Sequence, residues 1–127
     1  MNRETTLLQL RPHIHTIADS SESSALEMFQ NKTLRPILKL QNQVLVESFK
    51  GLNLLKMGAY PRLDGSQKRI WVRNILSKEA ITRNVMIGIV LGMMTQEELR
   101  FFFDHEKECR QRIMDMVAER LVMQLEL

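Results

Sequence analysis

His105 and Cys109 are four residues apart, a spacing that puts an imidazole and a thiolate on one face of a helix. The run His105-Glu106-Lys107-Glu108-Cys109 has the spacing of a two-ligand metal helix with cysteine in place of a second histidine. His13 and His15 would complete a four-ligand set. Residues two apart point to different sides of a helix, however, and the chain offers no second cysteine or paired-ligand spacing. The expectation is no metal: three partly exposed histidines, and a thiol that behaves as a small apolar side chain.

Other reactive groupings have structural addresses. Glu97 and Glu98 follow Thr95, so they sit where a helix N-terminus favours negative charge. Asp115 and Glu119 are four apart and read as a solvated helix face. There is no Gly-x-Ser-x-Gly elbow, no signature around the lone cysteine and no phosphate-cradling glycine loop. No catalytic residue and no cofactor are expected.

Charge is the stronger lead. Residues 31–83 hold eleven Lys/Arg against three Asp/Glu, a balance of +8, between flanks of −2 and −3. The whole-chain balance of +3 hides this basic middle. Such a stretch pairs with acidic parts of its own fold or presents a basic face to an acidic partner. Lys68-Arg69-Ile70-Trp71-Val72-Arg73 sets three cations around the only tryptophan, and Lys32, Arg35 and Lys39 can extend that surface. Phosphates would meet the cations and bases the ring if the partner were a nucleic acid. Trp71 also falls at core spacing with Ile75, and docking of the acidic C-terminal helix on the basic middle explains the charges equally well.

Methionine is the third signal. Six of the nine, Met86, Met93, Met94, Met114, Met116 and Met123, lie in the last two long apolar stretches. Methionine fills irregular cores and also suits adaptable docking surfaces. Met114, Val117, Leu121 and Leu125 mark a candidate interaction helix that a two-fold dimer would cover.

The elements that must position these groups are helices. Leu7, Leu8, Leu10, Ile14 and Ile17 predict a helix over 4–19, kinked or split by Pro12. The Ser20–Ser24 run predicts a connection and a cap for a short helix to about Gln30. Ile37, Leu40, Val44, Leu52 and Leu55, widened by Leu38, Leu45 and Phe49, predict a long helix with Pro36 in its first turn. Gln41 and Ser48 interrupt that face. Residues 57–65 read as a loop, with Gly58 ending the helix. Ser66 is expected to cap a helix through Leu76, and Ser77 the next one, to about Met94. That second helix is apolar on nearly every side, and Gly88 and Gly92 on one face suggest a close neighbouring helix. Thr95-Gln96-Glu97-Glu98 is a capping box, and a terminal helix follows His105 with Glu106–Arg110 and Glu108–Arg112 pairs.

These elements make one helical domain over 1–127. The expected class is all-α, an irregular bundle of five or six helices around a central apolar helix at about 79–94. The longest apolar run, Val85–Met94, is far shorter than the roughly 20 residues of a membrane helix. A lone cysteine and a start without signal-peptide character point to the cytoplasm.

Leu34-Arg35-Pro36-Ile37-Leu38-Lys39-Leu40-Gln41-Asn42, the Gly92–Glu98 corner and Glu119-Arg120-Leu121 are similar to stretches of a family of small, all-helical, uncharacterised bacterial proteins. Some members carry the label glyoxalase. The resemblance implies an all-helical fold over most of the chain; none of the matching stretches is catalytic, so it carries over no functional residue. The function expected is a helical protein-interaction domain that self-associates or takes a protein partner, without a membrane. The alternatives are a small enzyme acting on a metabolite in a polar pocket near Gln41, Ser48 and His105, and a nucleic-acid accessory protein using the basic middle.

Overall fold

A computed structural model describes residues 2–14 and 24–125. Among them the chain is all-α, with eight α-helices, one π turn, one 3-10 helix and no strand. The expected bundle class holds, and no helix among the described residues is long and apolar enough to cross a membrane.

Helix α1 (Arg3–Leu10) starts at Asn2, whose side-chain oxygen accepts from the Glu4 and Thr5 amides, and ends ahead of Pro12. The remainder of the helix expected over 4–19 lies mostly outside the described residues, as does His15. Ser24 caps α2 (Ala25–Phe29) by accepting from the Glu27 amide. The chain then widens into a π turn (Gln30–Leu34) before α3 (Arg35–Leu40), with Pro36 in the first turn of α3. A break at Gln41 separates α3 from α4 (Asn42–Leu52). The predicted long helix is therefore divided, which raises the helix number above six. The break also moves the buried face: Ile37, Leu38, Leu45, Val46 and Phe49 point inward, while Val44, Leu52 and Leu55 are exposed.

Residues Leu54–Arg62 form a 3-10 helix rather than an open loop. Its repeat of three residues explains the choice, because Met57 and Tyr60 are three apart and both buried. The preceding helix ends before Gly58, at Asn53, whose buried side chain donates to the Phe49 carbonyl at 2.9 Å and to Thr82 Oγ1 at 3.3 Å. Asp64, not Ser66, caps α5 (Gly65–Lys78), in a reciprocal box with Gln67. Hydrogen bonds from the Gln67 amide and Ser66 hydroxyl hold the Asp64 carboxyl below its ordinary range. Ser77 caps nothing. Its hydroxyl donates to the Asn74 carbonyl, and α6 (Ala80–Leu91) begins after Glu79 without a side-chain cap. Thr95 and Glu98 form the expected capping box on α7 (Gln96–Asp104). The last helix, α8, spans Glu106–Gln124.

Helix α8 packs against α4, α5, α6 and α7, and Cys109, Ile113, Val117 and Leu121 carry that contact. The hub is thus α8 more than the expected α6. Helix α6 buries Thr82, Met86, Ile87 and Val90 but leaves its Ile81–Gly88 side open. Among the described residues, nothing beyond α6's own backbone comes within 4 Å of where a Gly88 Cβ would sit. The close helix that Gly88 and Gly92 suggested is not found on this side among the described residues.

The N-terminal helix is clamped onto the α6–α7 corner by charge. Arg3 donates to the Gly92 and Met94 carbonyls at 3.1 and 3.0 Å, and Arg11 to the Met93 carbonyl at 3.0 Å. Glu4 accepts from the Gln96 amide at 2.9 Å. Cations thus meet the end of one helix and a carboxylate the start of the next, the placement the helix dipole favours. Arg11 also grips Glu98 with both nitrogens, at 2.5 and 2.6 Å, with side-chain exposures of only 8% and 15%.

Candidate interaction surfaces

The residues expected to form one basic surface have separate fates. Arg69 pairs with Glu119, and Arg73 reaches Asp115 at 3.1 Å and Glu119 at 3.4 Å. These are α5-to-α8 bridges, so part of the basic middle is matched by the acidic terminal helix within one chain. The hydrogen bond from Arg69 draws the Glu119 carboxyl below its ordinary range, with Arg73 adding to it. The Lys68 ammonium lies 5.1 Å from the Tyr60 ring centre. Trp71 is half-buried, packing against Tyr60 and edge-on to Phe49, with ring centres 4.9 and 6.0 Å away. Its ring is engaged in the core that Ile75 spacing implied, and two cations beside it have carboxylate partners. Lys32, Arg35 and Lys39 are exposed on the π turn and α3.

Arg35 meets Arg73 again across a groove between α3, α5 and α8. Its volume is about 720 Å³, and Arg35, Leu38, Arg73, Met116, Arg120 and Met123 are among its walls. Asp115 and Glu119 also line it, already engaged by the arginines of α5. Arg120 donates to the neutral Asn42 Oδ1 at 3.2 Å, and Asn42 in turn donates to Gln124 Oε1 at 3.0 Å. Burial lowers the affinity of Arg120 for its proton, and the neighbouring charge of Arg35 lowers it further. Neither Arg35 nor Arg120 has a carboxylate partner among the described residues. Arg120 escaped the sequence reading because it sits in a stretch whose balance is negative. Its spacing of four from Met116 was the available signal.

Three of the four residues expected on an exposed interaction helix turn inward. Val117, Leu121 and Leu125 are buried in the chain's own core, and Met114 is partly covered. Helix α8 is wrapped by four neighbours, so its i, i+4 stripe has no free side. Apart from Met123 near its end, the large exposed apolar side chains among the described residues lie off α8. Leu54 and Leu55 stand out on the 3-10 helix, Leu55 fully exposed, and Leu52 precedes them at the end of α4. Ile81, 74% exposed, precedes Thr82, which the Asn53 hydrogen bond ties to the end of α4. Lys56 and Glu79, one cation and one acid, pair at the rim of this face.

The candidate metal ligands do not converge among the described residues. His105 stacks on Phe101 with ring centres 4.2 Å apart, and its Nδ1 lies 3.0 Å from the Phe101 carbonyl. Cys109 is fully buried, and desolvation pushes its thiol pKa up. His13 is exposed beside a separate hollow of about 430 Å³ that Arg11, Asn31 and Lys32 also line. Gln41 donates to the Ile89 carbonyl at 3.4 Å, a contact within the bundle rather than with His105.

Comparison of the chain with family models, with curated proteins and with solved structures found no match in any of the three.

Proposed function

We propose that this chain is a helical protein-interaction domain that self-associates through the apolar face formed by the end of α4, the 3-10 helix and α6. The observation that carries the reading is the run of exposed Leu52, Leu54 and fully exposed Leu55, with exposed Ile81 on α6, whose start the Asn53–Thr82 hydrogen bond and the Lys56–Glu79 pair tie to these elements. Scattered apolar side chains on a surface need no explanation, but several on adjoining elements mark a contact site. Covering one such leucine contributes about 1.5–3 kcal/mol.

A second copy of the chain fits this face by charge. A two-fold contact places each residue of the patch against the same patch, so a rim of one sign repels itself. This rim carries Lys56 and Glu79, which can pair within a chain or exchange between chains. The open side of α6 supports the same reading. Ile81, Gly88 and Gly92 fall within one narrow stripe, and glycine lets a partner backbone come close. The buried lone thiol suits a reducing compartment such as the cytoplasm.

Sedimentation equilibrium tests the proposal. The wild-type chain should show twice its 14.9 kDa mass at micromolar concentration, and Leu55→Glu with Ile81→Glu should return it to the single mass. Both side chains are solvent-facing, so the helical circular dichroism should be unchanged. A wild-type chain that stays at one mass at every concentration refutes the proposal.

A further inference from the structure

We propose that the groove between α3, α5 and α8 docks an acidic, amphipathic segment of a partner protein, with a carboxylate between Arg35 and Arg120 and apolar side chains on Met116 and Met123. Of the guanidinium groups in this groove, Arg73 is matched by Asp115 and Glu119. Arg35 and Arg120 face one another's charge instead, and among the described residues the only acceptor bound by Arg120 is the neutral Asn42 oxygen. Two cations placed together without an acid form a site whose missing component is an anion. The Asn42–Gln124 bond steadies the acceptor that holds Arg120, so the guanidinium is positioned before a ligand arrives.

The walls choose the kind of anion. Leu38 is buried beneath, Met116 is partly covered and Met123 is largely exposed. A flexible thioether wall adapts to apolar side chains of different shapes. Nucleic acid fits less well: none of the groove's lining residues is aromatic, so a base finds no ring to stack on. A volume near 720 Å³ accommodates several side chains of a helix or extended segment rather than a lone small ion. This groove shares no residue with the proposed self-association face, so the two surfaces can be occupied independently.

Fluorescence anisotropy with a defined probe decides the matter. The probe is a fluorescein-labelled amphipathic peptide with leucines on one helical face and glutamates flanking them; its control replaces every glutamate by glutamine. The full-length chain should bind the glutamate peptide at least about tenfold more tightly than the control. Arg120→Gln, and separately the exposed Arg35→Gln, should each remove most of that preference, and added salt should weaken it. Lys68→Gln, outside the groove, should leave it intact, as should Leu55→Glu. Equal binding of the two peptides, no binding, or a preference that survives both arginine changes overturns the proposal. Displacement of the peptide by a single-stranded oligonucleotide at comparable concentration also overturns it, in favour of a polyanion site.

Discussion

The bond between Arg11 and Glu98 shows how one pair of side chains can hold a terminus. Burial alone would raise the Glu98 carboxyl pKa. Arg11, the Thr95 amide and the Thr33 hydroxyl outweigh it, and the net shift is downward. A carboxyl held low in the folded state contributes stability that is present above its unfolded pKa and lost as pH falls through the folded value. The urea midpoint should therefore hold steady from neutrality to about pH 5 and fall below about pH 4. Glu98→Gln should cost about 3 kcal/mol at neutral pH, because it leaves the Arg11 charge buried without its partner. It should also flatten the acid limb of the urea-midpoint profile. Cys109 gives a second residue-scale test. Its thiol is fully buried and desolvated, so a disulfide reagent should leave it intact in native buffer and modify it fully in urea. Neither environment was legible beforehand. The cysteine was readable as a small apolar side chain, but Arg11 and Glu98 are 87 positions apart and no local pattern links them.

Local chemistry decided the helix ends that were readable. Ser24 and the Thr95 box act where their side chains can reach a free amide three residues on. Ser66 and Ser77 have the same chemistry and cap nothing, because Asp64 caps first and α5 runs on to Lys78. The inward face of α3 and α4 was misplaced for a different reason. A periodic stripe presumes one unbroken helix, and the Gln41 break and the change to a 3-10 helix at Leu54 each shift the register. Leu52 and Leu55 consequently turned outward, and the face they make became the candidate site instead of the core. Helix α6 allows a test at this scale. Gly88 is helical, its Cβ position is empty and its φ is negative, so Gly88→Ala should stabilise the isolated chain by about 1 kcal/mol. In the proposed dimer the added methyl meets the partner, so the same change should raise the dimer dissociation constant. Urea melts at low concentration and sedimentation at high concentration read the two effects separately.

For the molecule as a whole, the balance of +8 between acidic flanks proved to be partly an internal affair. Helix α8 spends Asp115 and Glu119 on Arg69 and Arg73. Such exposed bridges contribute little stability each. Their larger effect is to sort the cations, leaving Arg35 and Arg120 as those without an acid in the groove. The all-α class was legible because helical spacing is a short-range property. The two surfaces were not, since each is assembled from elements distant in the chain. Charge arithmetic can show that cations outnumber acids locally, but not which of them a fold leaves unmatched.

The π turn before Arg35 preserves a rotational phase. The Arg35 amide donates to the Gln30 carbonyl, five residues back, so this turn holds one residue more than an α-helix would use. The extra residue is absorbed by the wider turn, so the helix on either side keeps its phase. Excising one solvent-facing position there, such as Lys32, should restore ordinary winding and leave Phe29 on its stack against Phe101, now 4.4 Å between ring centres, with Arg35 in its place in the groove. A one-residue deletion should thus be tolerated at this turn, whereas the same deletion within α4 would rotate everything upstream by about 100°.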